Sequence, residues 1–238
     1  MSVEHIAQHI SNKFNQELEG IRSSVLSMGG LVESQLSQVI TAISKRDFEL
    51  AEEVATNDPK VNAYELEIDA QCTEIILRRQ PAATDLRLVM SVSKTITDLE
   101  RVGDEIEKVA RIAADTSRGG LTSSHYVNIL SMANHVMIML RGALDAFARS
   151  DSQQALAVAQ QDEAIDHEND AIMRQLITYM IEDPRCITDV LDAITVTRAL
   201  ERVGDHAANI CENVIYYVEG KDVRHTALKD IENELKGS

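Results

Sequence analysis

The chain has few of the residues that build sheets, tight turns and disulfide frameworks. Its 238 residues include no tryptophan, three prolines and ten glycines, and only 3% are aromatic. A sheet-rich fold needs more aromatic and β-branched clusters bounded by glycine and proline, so a helical fold is favoured. The three cysteines, Cys72, Cys186 and Cys211, are odd in number and widely spaced. They indicate buried thiols in a reducing cytoplasm rather than metal ligands or a redox pair.

The chain also lacks a surplus of basic residues and long apolar runs. A net charge of −16 and an isoelectric point near 4.8 argue against binding nucleic acid or anionic lipid directly, and favour cations or partners with basic faces. No run approaches the roughly 20 apolar residues of a membrane span, and Met1 to His5 show no secretory signal. We therefore expect a cytoplasmic protein that reaches membranes through protein partners only.

Several landmarks of the chain occur twice at a nearly constant spacing. The pentapeptide Glu-Arg-Val-Gly-Asp occurs at 100–104 and again at 201–205. Upstream of it, Leu26-Ser27-Met28 matches Leu130-Ser131-Met132, and Asp47 matches Asp151, each with an offset of 104 residues. A constant offset across unrelated residue types indicates a tandem duplication, so the function of the pentapeptide is expected to be carried out twice.

Each half is predicted to form three long helices, which gives an all-α fold of two tandem three-helix bundles. Apolar residues spaced three and four apart give the first helix of each half one buried face. Asp47 and Asp151 are the predicted N-caps of the second helices. Gln80-Pro81 and Asp183-Pro184 separate the second helices from the third, and Gly220 closes the last helix.

Three local features bear on that plan. Thr84 or Asp85 is expected to cap the third helix of the first half. Pro59 lies inside the second helix, where proline kinks or restarts a helix, and Gly29-Gly30 interrupts the first. The matching residues of the second half, Glu163 among them, suit a helix. Both helices are therefore predicted to be continuous.

The run Ser117-Arg118-Gly119-Gly120 is the clearest break in the chain and divides it into predicted regions. Residues 1–118 form the first bundle, residues 121–220 form the second, and residues 221–238 form a polar, mobile tail. The halves are expected to be separate bundles, each with its own acidic site.

Carboxylates spaced one helical turn apart are the main chemical feature. Positions i and i+4 lie on one face of a helix, so each pentapeptide points two carboxylates in one direction, and its glycine lets another backbone approach. An antiparallel second helix brings a facing stripe to each pair. The pairs are Glu100 with Asp104 and Glu201 with Asp205; the stripes are Asp58, Asn62, Glu65 and Asp69, and Asp162, Asp166, Asn169 and Met173.

Such a cluster needs something to balance its charge. Carboxylates brought together repel each other and burial raises the cost, so they must be protonated, paired with arginine or lysine, or loaded with metal. All-carboxylate sites suit Mg²⁺, Mn²⁺, Ca²⁺ or iron. Two other interpretations stay open: a solvated face for the stripe from Asp58 to Asp69, and ion pairs of the Glu-xxx-Asp motifs with Arg101 or Arg202 from a neighbouring helix.

The sequence lacks the motifs of familiar enzyme classes. No glutamate is followed three residues later by histidine, so the Glu-x-x-His pair of di-iron bundles is missing. There is no P-loop, no dinucleotide-binding glycine fingerprint and no recognisable nucleophile. His167 and His206 neighbour the acidic motifs, and each is interpreted as a surface residue or a partner of a ligand. The protein is therefore predicted not to be an enzyme.

Taken together, the motifs of this chain resemble those of the PhoU family, the phosphate-specific transport system accessory proteins. The likeness covers nearly the whole chain. It is carried by Gln80-Pro81-Ala82-Ala83-Thr84-Asp85-Leu86-Arg87, by Asp98-Leu99 and Ala199-Leu200 leading into the two pentapeptides, by Ala146-Phe147-Ala148-Arg149, by Asp183-Pro184-Arg185 and by Glu219-Gly220-Lys221-Asp222.

The resemblance implies a cytoplasmic, commonly homodimeric protein of two similar three-helix bundles. It implies a negative regulator of the phosphate-starvation response, which links the high-affinity phosphate ABC transporter, through its ATPase subunit, to a membrane sensor histidine kinase. It also implies multinuclear clusters of iron, manganese, magnesium or zinc, held by paired Glu/Asp-xxx-Asp motifs.

Carried onto this chain, the resemblance implies specific metal ligands. They are Glu100 with Asp104, Glu201 with Asp205, the facing pair Asp162 with Asp166, and, in the first half, Glu65 with Asp69 or Asp58 with Asn62. Asn62 departs from the family pattern and Met173 breaks the second stripe. The two clusters are therefore expected to differ in nuclearity or affinity.

Three functions of different classes follow from these patterns. The leading one is a non-enzymatic signalling adaptor. The second is a carboxylate-bridged metal enzyme or metal store, which the missing Glu-x-x-His pair disfavours. The third is a helical scaffold whose acidic stripes only bind water, which the duplicated glycine inside Glu-xxx-Asp disfavours, because glycine costs about 1 kcal/mol in a helix interior.

Overall fold

The computed structural model shows an all-helical protein. It describes residues 3–115, 123–224, 226 and 231, with the side chains of these residues except at 3–11, 58 and 123–126. The described residues form eight α-helices and one turn of 3-10 helix, and no strand. The α-helices are α1 (Val3–Lys45), α2 (Phe48–Ala55), α3 (Asp58–Arg79), α4 (Ala83–Ala114), α5 (Ser123–Arg149), α6 (Ser152–Ala159), α7 (Asp162–Glu182) and α8 (Ile187–Glu219); the 3-10 turn spans Pro184–Cys186. The all-α prediction is confirmed.

Two similar bundles follow one another in the chain. In the first, α1, α3 and α4 pack together, and the short helix α2 precedes α3. In the second, α5, α7 and α8 repeat the arrangement, and α6 precedes α7. The predicted seam at 117–120 lies outside the described residues. In the predicted polar tail, Val223 and Ile231 are buried, so these two residues pack against the molecule.

The second long helix predicted for each half is in fact two helices. α2 and α3 are separated at Thr56 and Asn57, and α6 and α7 are separated at Gln160 and Gln161. Pro59 lies in the first turn of α3, where its missing N–H costs nothing. Glu163 takes its place in α7 and the break persists, so proline alone does not cause it. The prediction of continuity was wrong here, but α1 does run unbroken through Gly29-Gly30.

Two of the predicted caps have the expected geometry. Asp47 precedes α2 and accepts a hydrogen bond of 3.0 Å from the backbone N–H of Leu50. Asp151 precedes α6 and accepts one of 2.9 Å from the N–H of Gln154. These carboxylates satisfy N–H groups that have no partner inside a helix. The two aspartates therefore start α2 and α6 in the same way in both halves.

For the third helices, the predicted C-terminal end of α8 was correct and the predicted N-cap of α4 was not. α8 ends at Gly220, which has a φ of 74° in the left-handed region that glycine adopts without strain. α4 begins earlier than expected, at Ala83, and its N-cap Ala82 has no side chain that can accept a hydrogen bond. The prediction that Thr84 or Asp85 caps this helix was wrong.

The two bundles share one hydrophobic core rather than standing apart. α4 and α8 run antiparallel across their interface: the Arg87 guanidinium donates to the carbonyl of Tyr217 (3.4 Å), and the Glu105 carboxylate pairs with Arg202 (2.9 Å). α1 packs on α5, where Gly29 lies against Leu144. The expectation of separate halves was wrong, because both pentapeptides lie on the helix pair that joins them.

One segment is long and apolar enough to cross a membrane by length and composition alone. It is Val127–Arg149, which makes up most of α5. Half of its most apolar window is buried inside the molecule, where Met139 and Leu140 are completely enclosed. This is the pattern of the core helix of a bundle.

The thiols follow the prediction in part. Cys72 and Cys211 are buried and Cys186 is half-buried, and none is in a disulfide. Burial raises the pKa of the Cys72 thiol to about 12 and raises that of Cys211 as well. Thiols with raised pKa values stay protonated and unreactive near neutral pH, so these two act as small apolar residues.

Candidate metal centre

Three carboxylates of the second repeat converge where α7 faces α8. Asp166, Glu201 and Asp205 each place a carboxylate oxygen within 4.8 Å of the other two. Asp166 comes from α7, whereas Glu201 and Asp205 lie one turn apart on α8. Asp166 is exposed and the other two are half-buried. One face of this group is therefore open to solvent.

Asp162 adds a fourth carboxylate from the first turn of α7. Burial, followed by the charges of Asp205, Asp166 and Glu201, raises the pKa of the Asp162 carboxyl to about 6. Its Oδ1 is buried and has no hydrogen-bond partner within the described part of the chain. A buried polar atom without a partner typically costs about 1–3 kcal/mol. We call Asp162, Asp166, Glu201 and Asp205 the second-repeat cluster.

The two α8 members of the cluster are also held away from their usual titration range. Burial, and then the neighbouring carboxylates, raise the pKa of Glu201 and that of Asp205. Arg202 opposes the shift at both residues, and His206 opposes it at Asp205. The cluster thus brings together more negative charge than the neighbouring basic side chains balance.

Gly204 explains how α7 comes so close to α8. A Cβ at this position would lie 3.3 Å from Ile165 Cδ1 and 3.6 Å from Asp162 Oδ1. A side chain here would require Ile165 to shift by a few tenths of an ångström and would fill the space beside the Asp162 carboxylate. The glycine of the second pentapeptide therefore has the close-approach role that its position inside Glu-xxx-Asp indicates.

The first repeat presents a weaker version of the same arrangement. Burial, and then Glu107 and Glu105, raise the pKa of Asp104. Glu100 is half-buried on the same helix, and Asn62, which replaces the Asp166 of the second repeat, is half-buried on α3. The side chain of Asp58 lies outside the described residues. Among the side chains that are described, the first repeat has no group of three carboxylates as close as those of the second.

The other predicted pair of the first repeat points elsewhere. Asp69 is exposed on α3 and accepts a hydrogen bond of 3.4 Å from the Ser93 hydroxyl of α4. Glu65 is half-buried on the same helix. Ser93 lies about two helical turns before Glu100 on α4. Among the described residues, Glu65 and Asp69 do not form a cluster with the pentapeptide carboxylates.

A cleft of about 660 Å³ lies between the two repeats beside these carboxylates. α4 contributes Asp104 and Glu105 to its wall, and the second-repeat cluster contributes Asp162 and Asp205. Its other lining residues are Arg101, Arg202, His206, Ala208, Asn209 and Glu212. Acidic groups of both repeats therefore line the same cleft.

The sequence patterns missed a polar network at this interface. Asp98 of α4 is buried and accepts hydrogen bonds from Asn209 (3.2 Å) and Asn213 (3.3 Å) of α8, and it contacts the His206 ring at 3.1 Å. One sequence feature could have revealed this network: Asp98 is charged, whereas the corresponding residue of the second repeat is the apolar Ala199. Arg202 pairs with Glu105 across the interface rather than with the Glu-xxx-Asp motifs.

The oxygen-only donor set of the second-repeat cluster suits hard or borderline cations. Three carboxylate oxygens within one ion's reach, an orphaned Asp162 oxygen and the space left by Gly204 together fit such an ion. No cysteine or histidine belongs to this group of close donors. The residues present therefore fit a metal that takes several oxygens.

Comparison with known proteins agrees with both the duplication and the fold. A family model described as the PhoU domain matches the chain twice, at residues 25–113 and 129–214. A relative from Pseudomonas putida, named phosphate-specific transport system accessory protein PhoU homolog, is 49% identical over 99% of this chain and 92% of its own length. The PhoU protein of Escherichia coli K12 is 45% identical over 98% of this chain and 96% of its own.

Solved structures show the same architecture. The crystal structure of PhoU from Pseudomonas aeruginosa is similar with a TM-score of 0.84 and 49% identity, covering 87% of this chain and all of that one. The phosphate transport system regulatory protein PhoU from Streptococcus pneumoniae is similar with a TM-score of 0.80 and 29% identity, covering 87% of this chain and 98% of that one. The predicted two-repeat helical fold and the resemblance are thereby confirmed.

Proposed function

The chain belongs to the PhoU family, and from that premise we propose that it is a cytoplasmic negative regulator of the phosphate-starvation response. It would couple the high-affinity phosphate ABC transporter, through the ATPase subunit, to a membrane sensor histidine kinase. The observation that carries this proposal is the near-full-length match to proteins named accessory or regulatory components of phosphate transport. Those names describe accessory and regulatory proteins rather than enzymes, which supports the prediction that this protein is not an enzyme.

The surface suits docking on other proteins, and homodimerisation is proposed from the family resemblance alone. The net charge of −16 favours partners with basic faces and speeds their encounter. Large apolar side chains such as Leu77, Ile181 and Leu191 are more than half exposed, and side chains of this kind bury readily against a partner's groove. Docking that begins through charge is expected to weaken as salt rises.

The regulatory proposal predicts a large change in gene expression. Deleting the gene should leave phosphate-starvation genes on in high phosphate, because the inhibitory link from transporter to kinase is lost. A transcriptional reporter in wild-type, deletion and complemented strains would measure this. Normal repression in the deletion strain at high phosphate would exclude the adaptor function while leaving the metal centre untouched.

We further propose that the acidic motifs bind metal. In the second repeat, Asp162, Asp166, Glu201 and Asp205 would hold the ion. In the first repeat, Glu100 and Asp104 would act with Asp58 and Asn62, or with Glu65 and Asp69. A bound cation would balance the cluster charge and let the four carboxylates stay close to one another. Iron, manganese, magnesium and zinc are the candidates, and clusters of more than one ion suit the bridging capacity of carboxylates.

Metal binding predicts a clear outcome for paired substitutions. Glu201→Gln with Asp205→Asn should lower the Mn²⁺ bound to reconstituted protein, because both ligands from α8 lose their charge. The charge-matched control is Glu163→Gln with Asp170→Asn, two exposed residues of α7, which should bind as the wild type does. Elemental analysis after gel filtration gives the stoichiometry. Wild-type protein without metal after reconstitution would leave ion pairing and protonation as the means of balancing the charge.

A further inference from the structure

The α8 residues that follow the two cluster ligands on that helix both contact the other repeat. Arg202, next to Glu201, pairs with the Glu105 carboxylate of α4 at 2.9 Å. His206, next to Asp205, contacts Asp98 Oδ1 of α4 at 3.1 Å. Adjacent residues of a helix lie about 100° apart around its axis. α8 therefore turns the cluster toward α7 and its immediate neighbours toward α4.

The α4 groups that receive these contacts are deeply placed. Glu105 and Asp98 are each only 7% exposed. Asp98 also accepts the two amide hydrogen bonds from Asn209 and Asn213, and Glu105 also binds Lys108 at 2.6 Å. Buried carboxylates with several donors are expensive to disrupt. They therefore offer Arg202 and His206 two fixed acceptors on the side of the first repeat.

Arg202 and His206 are also within electrostatic reach of the cluster. Arg202 lowers the pKa of Glu201 and of Asp205, and His206 lowers that of Asp205. Each of these side chains can thus favour either the acceptor on α4 or the carboxylates beside it. A metal ion in the cluster would remove the second choice, because it neutralises the same carboxylates.

The contacts that link the cluster to α4 are not duplicated in the first repeat. In the first repeat, the positions that correspond to His206, Asn209 and Asn213 hold Glu105, Lys108 and Ile112, and Ala199 stands opposite in place of Asp98. The link between cluster and interface therefore belongs to the second repeat alone.

We propose that cation binding at the second-repeat cluster is coupled to the packing of the two repeats through Arg202 and His206. With the cation bound, Arg202 and His206 stay on Glu105 and Asp98 and the α4–α8 interface is tight. Without it, these two side chains compete for the cluster and the interface loosens. The coupling rests on the metal binding proposed above and names how that binding is communicated. It is reciprocal, so weakening the interface contacts must weaken cation affinity.

The test uses full-length protein in which Glu100→Gln and Asp104→Asn remove the first-repeat ligands. Mn²⁺ affinity is measured by calorimetry before and after adding Glu105→Gln or, separately, Asp98→Asn. Each should weaken binding about 5- to 20-fold, a typical size for coupling between sites, although neither residue belongs to the cluster. The matched control is Glu107→Gln, since Glu107 lies on α4 near Asp104 and is bound by Arg111 of the same helix.

A second readout separates coupling from a general loss of negative charge. Amide hydrogen exchange in α4 around Asp98 should slow when Mn²⁺ is added, and this protection should disappear in Asp98→Asn. The coupling is overturned if Glu107→Gln weakens Mn²⁺ binding as much as Glu105→Gln and Asp98→Asn do. It is also overturned if those two variants leave Mn²⁺ affinity unchanged and Mn²⁺ leaves α4 exchange unchanged. Either result leaves the metal centre in place. Absence of Mn²⁺ binding by the wild-type protein would remove the metal centre, and the coupling with it.

Discussion

Replacing Asp162 by asparagine is expected to stabilise the metal-free protein at pH 7 by about 1–2 kcal/mol. A pKa raised by one unit costs an ionised carboxyl about 1.4 kcal/mol, and solvent screening of this half-buried side chain reduces the cost. Burial, and then four neighbouring carboxylates, raise the pKa of Asp162 to about 6. The negative charge in the first turn of α7 gains only about 0.3–1 kcal/mol from the helix dipole. The penalty therefore exceeds the gain, and a neutral isostere removes both.

The pH dependence has a definite sign. Because the folded pKa of Asp162 lies above the ordinary value of 3.8, the folded state binds more protons than the unfolded chain between these values. The cost of Asp162 is therefore present at pH 7 and disappears as the pH falls through about 6 toward 4. Asp162→Asn should lose this part of the pH dependence.

The same substitution should weaken Mn²⁺ binding, because a ligand is lost. Urea unfolding of metal-free protein at pH 5 and pH 7, together with Mn²⁺ calorimetry at pH 7, measures both effects. Asp170→Asn, an exposed site on the same helix, is the control and should change stability by less than about 0.5 kcal/mol. A metal-free Asp162→Asn protein less stable than the wild type at pH 7 would contradict the assignment of Asp162 as a penalised carboxylate.

Replacing Asp98 by alanine is expected to destabilise the protein by about 2–4 kcal/mol, because buried donors that lose their acceptor cost about 1–3 kcal/mol each. The amide of Asn213 is buried and that of Asn209 is half-buried, and both donate to Asp98. Asp69→Ala, at an exposed site on α3, provides the control with a small expected change.

A double-mutant cycle assigns the cost to the network rather than to lost packing. Asn213→Ala removes one of the donors, so Asp98→Ala should cost less in that background than in the wild type. Denaturant unfolding followed by circular dichroism gives the free energies. Additive losses in the double variant would mean that Asp98 stabilises the interface in some other way.

Much of the architecture could be predicted from the duplication. Asp47, Asp151 and Gly220 mark helix boundaries through local chemistry, which a sequence shows directly. The break between α6 and α7 was missed because a short interruption leaves the apolar spacing almost unchanged. Glu163 suits a helix interior as well as a first turn, so only the backbone shows that a new helix begins at Asp162.

The sequence predicts contacts of the candidate centre that lie inside one bundle, but not those between the two bundles. The facing of Asp166 with Glu201 and Asp205 follows from antiparallel neighbours and a one-turn spacing, both visible in the sequence. The Asp98 network depends on how closely α4 approaches α8 between bundles. No periodicity reports that distance, because α4 and α8 each bury apolar faces against several neighbours.

The core that runs through both bundles bears on how such a protein changes over generations. A duplicated gene often leaves two modules that can be lost, shuffled or inherited one at a time. Here the apolar faces of α4 and α8 cover each other, and Leu144 of one half fills the space above Gly29 of the other. Each bundle alone would expose apolar residues that the other bundle now covers. The site residues of the two bundles can diverge, as Asn62 and Asp166 have done. Loss of either bundle, however, would expose the core of the other.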